Sequence, residues 1–146
     1  MPDVRGCHLP DELLYDVENH TWFQEVGDGN VRVGMTAVAT ALAGQLVAFT
    51  PKKVGRSVRA GKSCATVESG KWVGPAKSMS GGEVIEVNDA MVANPSMANE
   101  DPYASWLVVI SPEDWDSVKP NLTPGAEVSA PYEAKMEADG FAGCGE

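Results

Sequence analysis

The sequence predicts a mainly β protein, a sandwich edged by three short helices. Three observations carry that prediction. Fifteen glycines and ten prolines stand against 7% aromatic residues in a chain of 146, a turn-rich composition that does not suit a helical bundle. The apolar stretches are short and are repeatedly stopped by glycine, proline or asparagine. Two stretches, VGRSVRAGKSCATVES and GGEVIEVNDAMVANP, loosely resemble each other, each with a glycine turn, inward valines and a following apolar run. Two such halves folded over one another make a β-sandwich.

Residues 1–13 read as a loose leader, 14–138 as one domain and 139–146 as a flexible tail. LLYDVENHTWFQEV alternates and carries aromatics, as strands do. GDGN is a turn that returns the chain into VRVG, closing a hairpin. TAVATALAGQ reads as a helix capped by Thr36, with Val38 and Leu42 on one face and Gly44 at its end. LVAFT is expected to be a buried strand stopped by Pro51. PKKVGRSVRAGKS is turn-rich, with Val54 and Val58 pointing inward. CATVES is a strand; past a turn at Lys71, GEVIEVN is the next, with period-two alternation. NDAMVANPSMANEDPY is a long loop or short helix, and SWLVVI a core strand. Ser111-Pro112-Glu113-Asp114 reads as a helix start, leading to Trp115 and Val118 on one face. APYEAKMEAD forms the last helix, with Tyr132 and Met136 at i, i+4.

The formal net charge is −10, from 21 acidic and 11 basic residues. Such a surface suits neither nucleic acid nor an anionic membrane, and it fits docking to basic patches on proteins. No run of eighteen apolar residues and no signal-peptide pattern is present, which points to a cytoplasmic protein.

Few residues can carry catalysis. His8 lies in the expected leader, and His20 reads as a half-exposed packing residue beside Trp22. Neither sits in a Ser–His–Asp pattern. The GKS at 61–63 leads into a strand and so is not a phosphate loop. Cys7, Cys64 and Cys144 are widely spaced and fit neither a disulfide framework nor a zinc site. Cys64 reads as a small core residue. Cys7 and Cys144 read as free thiols in loose tails, with a redox or metal role as the alternative.

Lys71 is the exception. It stands at a strand-to-strand turn, ESGKW, where a lysine is either a plain solvated residue or a point of covalent attachment. A carrier arm needs a flexible stem, a protruding turn and a rigid sandwich behind it. Two flanking strands in different sheets would hold such a turn out. A lysine extended by a lipoyl group reaches on the order of 14 Å.

From Leu14 to Met136 the chain resembles the H protein of the glycine cleavage system, a member of the biotinyl/lipoyl family. ENHTW resembles its E-H-x-W. VGMTAVATALAGQLV resembles its V-G-[IL]-T-x-x-A-x-x-x-L-G-x-[IL]. VGRSVRAGKSCATVES resembles the segment ending in E-S, and GGEVIEVN and ANPSMANEDPYASWLVVI follow in family order. The resemblance implies a flattened barrel-sandwich hybrid of two antiparallel sheets, with short peripheral and C-terminal helices. It implies a non-catalytic carrier, with lipoic acid in amide linkage to Lys71. Glu68, Ser69, Gly70 and Trp72 would form the turn that a lipoate ligase or other lipoylating enzyme reads. The text after the lysine departs from the family. Trp72 stands beside it, Pro75 and Lys77 replace an acid and an aromatic, and Lys52-Lys53 follows Pro51 where an acid is usual. That departure is similar to lipoate-binding proteins of heterodisulfide-reductase-like sulfur oxidation. It points first to a sulfur-carrying arm serving such a complex. The alternative is an aminomethyl carrier serving glycine decarboxylase, aminomethyltransferase and dihydrolipoyl dehydrogenase. An alternative of another class is a lipoate relay or binding scaffold.

Overall fold

The computed structural model describes residues 3–144. Among them the strands are β1 (Asp3–Val4), β2 (Cys7–His8), β3 (Leu14–Asp16), β4 (Thr21–Gly27), β5 (Asn30–Met35), β6 (Leu46–Pro51), β7 (Ser57–Val58), β8 (Lys62–Ser69), β9 (Val73–Ser78), β10 (Gly82–Val87), β11 (Val108–Pro112) and β12 (Thr123–Pro124). The α-helices are α1 (Ala37–Ala43), α2 (Asp89–Ala93), α3 (Met97–Glu100), α4 (Trp115–Val118) and α5 (Ser129–Asp139). Among the described residues no helix is long and apolar enough to cross a membrane.

Local chemistry sets the hairpins. Between β4 and β5, Asp28 (φ 56°) and Gly29 (φ 77°) both take left-handed backbone, the turn that matches strand twist. A seven-stranded sheet runs β12-β3-β4-β5-β11-β10-β7, and a three-stranded sheet runs β6-β8-β9. All pairings in both are antiparallel. The sheets share one core, in which Phe23, Val33 and Ile110 of the larger join Phe49, Val67 and Ala76 of the smaller. Burial of each larger side chain there contributes about 1.5–3 kcal/mol. The mainly β sandwich with short helices is therefore the observed class.

Thr36 caps α1 by accepting from the Ala39 N–H at 3.2 Å, and Gly44 ends it at φ 83°. Gly140 ends α5 in left-handed backbone, and Tyr132 and Met136 are buried on one face of that helix.

Several expectations are corrected. The leader is not loose: β1 pairs with β2, and Cys7, Leu9 and Leu13 are buried. They join Tyr15, Trp22 and Tyr132 in a second core. Nor is the tail free over residues 139–144. Phe141 N–H donates to the Met136 carbonyl, Cys144 N–H donates to the Arg5 carbonyl, and Cys7 and Cys144 form a disulfide. The last two tail residues lie outside the described range. Lys71 is flanked by β8 and β9, which pair within one sheet rather than standing in two. Leu42 and Val54 are exposed, while Val38 and Val58 are buried. β6 is buried on one face only, with Val47 outward. Ser111 and Pro112 end β11, and Asp114 rather than Ser111 stands before α4.

Candidate functional site: a lysine at a hairpin tip

β8 and β9 pair from Lys62–Ser78 up to Glu68–Val73, and the chain turns through Ser69-Gly70-Lys71-Trp72. The Ser69 N–H donates to the Trp72 carbonyl at 2.7 Å, closing the turn. The Ser69 hydroxyl accepts from the Lys71 N–H at 3.3 Å. Ser69 is buried and so is the fixed point of the tip, while Glu68, Gly70, Lys71 and Trp72 are exposed. The structure therefore brings all five predicted residues together on one turn.

Gly70 is not required by the fold. Its backbone is not left-handed, and a Cβ built there meets nothing within 4 Å. Gly74 is different. A Cβ there would sit 2.2 Å from the Trp72 ring, so the indole lies flat over Gly74 on β9. The Lys71 side chain leans toward the end of α1, with Cε 3.1 Å from a Cβ built on Gly44.

Two hollows flank the tip. One of about 280 Å³ lies between α1 and β9 and is lined by His20, Met35, Leu42, Trp72, Pro75 and Ala76, among others. The other, about 380 Å³ and more open, is formed by Ala43, Gly44, Gln45, Val47, Ser69, Gly70 and Lys71. A covalent acyl arm with an apolar ring fits this setting. Lys71 is exposed, a Cβ on Gly70 would meet nothing, and Met35, Leu42 and Trp72 on one side and Val47 on the other supply apolar surface.

Residues that sequence reading did not single out hold this geometry. Asn99 donates to the Gly44 carbonyl at 2.9 Å and accepts from the Leu46 N–H at 2.8 Å, pinning the junction of α1 and β6 beside Lys71. It stands on α3, at the start of the NEDPY stretch, and its amide reaches across to both backbone groups.

Nothing here resembles a catalytic cluster. Among the described residues no group of three or more His, Cys, Asp or Glu is placed to hold a metal. His20 lines the smaller hollow but is engaged. Its Nδ1 lies 3.0 Å from the Tyr132 hydroxyl, and its ring stacks on the tyrosine. Burial, with the Lys135 charge nearby, holds its pKa below the ordinary 6.5. Burial pushes the Cys64 thiol up to about 12, leaving it unreactive.

The glycine cleavage H-protein family model matches residues 13–135. The chain is 45% identical over 139 residues to glycine cleavage system H protein 5 of Aquifex aeolicus, covering 90% of this chain and 93% of that one. It is 39% identical over 132 residues to a probable glycine cleavage system H protein 2 of Sulfurisphaera tokodaii, covering 88% and 89%. The crystal structure of an H protein from Mycobacterium marinum superposes with a TM-score of 0.74 at 33% identity, over 88% of this chain and 98% of that one. Proteins of this family are non-catalytic carriers with lipoic acid covalently attached to a lysine. By the span of the match and by these identities, the chain belongs to the glycine cleavage H-protein family.

Proposed function

We propose that Lys71 is the lipoyl attachment site and that the chain is the H component of glycine cleavage. It would carry an aminomethyl group between glycine decarboxylase and aminomethyltransferase, and it would be reoxidised by dihydrolipoyl dehydrogenase. The observation that carries this is the placement of Lys71, exposed at the tip of the β8–β9 hairpin in Glu68-Ser69-Gly70-Lys71. The matched family and the names of the relatives support glycine cleavage over sulfur oxidation. When bound, the lipoyl dithiolane supplies two sulfurs that open on reduction and hold the transferred group.

The protein's own residues present and protect. Ser69 holds the turn closed, so the lysine projects from a fixed base. Gly70 leaves room for a modifying enzyme to approach the backbone, and Glu68 offers it an exposed charge three residues before the lysine. Trp72 walls the hollow against α1. We place the protein in the cytoplasm as a monomer, where its lipoylating enzyme and partners would meet it.

A sulfur-carrying role stays as the second reading because Trp72, Pro75 and Lys77 all stand on β9 or at its start, where the family has other residues. Lipoylated protein supplied with glycine and the pyridoxal-phosphate decarboxylase separates the two. Glycine-dependent release of carbon dioxide with aminomethyl mass on the Lys71 peptide is expected. A lipoylated protein that stays unloaded would contradict the glycine reading.

A further inference from the structure

We propose that the outer face of the β6-β8-β9 sheet is the docking surface for the decarboxylase that loads the arm, with Lys52 and Lys77 meeting carboxylates on that enzyme. The inference rests on the lipoyl-lysine and glycine-cleavage readings above.

Charge is unevenly divided along the chain. Between Lys52 and Lys77 stand seven of the eleven cationic residues and a single acid, Glu68. The other 120 residues hold four cations and twenty acids. Those four cations are all engaged within the chain. Arg5 pairs with Glu133 and Glu137, Lys119 with Glu25, and Lys135 with Glu18 and Asp139, while Arg32 lies over the Trp106 ring. Among the described residues, none of the seven makes an ion pair. Like charges held together repel, and opposite charge on a partner removes that cost.

The sheet gathers these cations at one end of an open face. Thr50 pairs with Thr66 and Thr66 with Pro75, which makes one row across the three strands. Ala48, Glu68 and Val73 make the next row toward the Lys71 tip. Alternation places Lys52, two residues past Thr50, and Lys77, two past Pro75, on the same face at the opposite end. Lys77 pairs with Ser63, and the Lys52 N–H donates to the adjoining Cys64 carbonyl at 3.0 Å. Two strand spacings separate Lys52 from Lys77 by about 10 Å, and six residues of β8 separate their row from the tip by about 20 Å. Lys53 and Lys62 are exposed beside them. Glu83, paired with Ser57, and Glu113, packed near Gly81, border the loop that carries Arg56 and Arg59, so the unanswered charge centres on the lysines.

The described chain does not cover this face. Thr50, Thr66, Glu68, Val73, Pro75 and Lys77 are all exposed. Beneath the tip, Val47 and Val73 are 60% and 62% exposed, more than any other large apolar residue described. An occupant must therefore offer apolar contact beside the cleft that takes the arm, and carboxylates about 20 Å away. A protein surface offers both. A nucleic acid offers nothing to the valines and is repelled by the acids elsewhere on the chain.

The test uses full-length protein, lipoylated to the same intact mass in every sample, as substrate of the glycine decarboxylase. The rate read is glycine-dependent release of carbon dioxide. Lys52→Glu/Lys77→Glu is compared with Lys119→Glu/Lys135→Glu, which changes net charge equally after α4 and on α5. At about 0.02 M salt the first variant should raise the KM for the carrier about tenfold and keep kcat within about twofold, because encounter is weakened and transfer is not. Lys52→Gln/Lys77→Gln should fall between it and the wild type. Salt of about 0.3 M should raise the wild-type KM and close the gap by screening. An unchanged KM overturns the proposal, as does an equal rise in the Lys119/Lys135 variant or a wild-type KM that falls with added salt. Retention of the wild type on duplex DNA, lost in the Lys52/Lys77 variant while KM stays the same, would assign the lysines to nucleic acid instead. A dimer that this variant dissociates, again at constant KM, would make a second copy the occupant. A lipoylated wild type that the decarboxylase never loads removes the glycine reading itself, and the docking face with it.

Discussion

His20 shows how one side chain ties the site to stability. It takes left-handed backbone at φ 58° and stacks on Tyr132, with Lys135, Asp139, Asp16 and Glu18 contributing to its field. Its native pKa lies below 6.5, so between the two values the unfolded chain binds more protons than the native one. Stability is then full above pH 6.5 and is lost as pH falls through the depressed native value. Melting curves at pH 7.5 and 5.5 should show a lower Tm at the acid end. His20→Asn, which tolerates left-handed backbone, should flatten that slope. Gly70 makes the complementary case. With open space and an ordinary φ, Gly70→Ala should keep the wild-type Tm within about 0.5 kcal/mol of stability while slowing lipoylation in a ligase assay. An equal rate would mean that the enzyme does not read this position. Single residues were legible where chemistry acts locally. Thr36 as a cap and Lys71 at a tip could be read directly. Leu42 and Val54 could not, because an apolar side chain at an element's end does not declare which way it faces.

At the scale of elements, glycines mark where aromatic rings lie on strands. Gly34 pairs with Trp22 across β4 and β5, and a Cβ on Gly34 would sit 2.3 Å from the buried indole. Gly34→Ala should cost about 1–3 kcal/mol by overpacking, read as a lower Tm or denaturant midpoint. Gly74 and Trp72 repeat the arrangement on β9, but that indole is 39% exposed and can swing away. Gly74→Ala should therefore leave Tm nearly unchanged. It should instead alter Trp72 fluorescence and the hollow beside α1. A loss of stability as large as that of Gly34→Ala would contradict this account. β9 itself was hidden in the sequence, because Pro75 and Lys77 lower its strand character. The structure places it at the edge of the three-stranded sheet, where proline is tolerated.

At the scale of the whole molecule, the sandwich was legible because its signals are local: turn residues, alternation and short apolar runs. The termini were not. Their pairing joins Cys7 to Cys144 across 137 residues and depends on β1 and β2, two residues each. No window of sequence contains that contact. The β8–β9 hairpin itself is anchored in the core through Val67 and Ala76, but Lys71 lies beyond its last strand pair and is exposed. Lys71→Arg should then fold with unchanged Tm and lose modification completely. The most direct measurement is the intact mass of protein made in a lipoylation-competent host, with peptide mapping across residues 65–88. One lipoyl increment on Lys71 in the wild type, and none in Lys71→Arg, is the predicted result. An unmodified Lys71, or an increment on Lys77 instead, would contradict the carrier assignment made here.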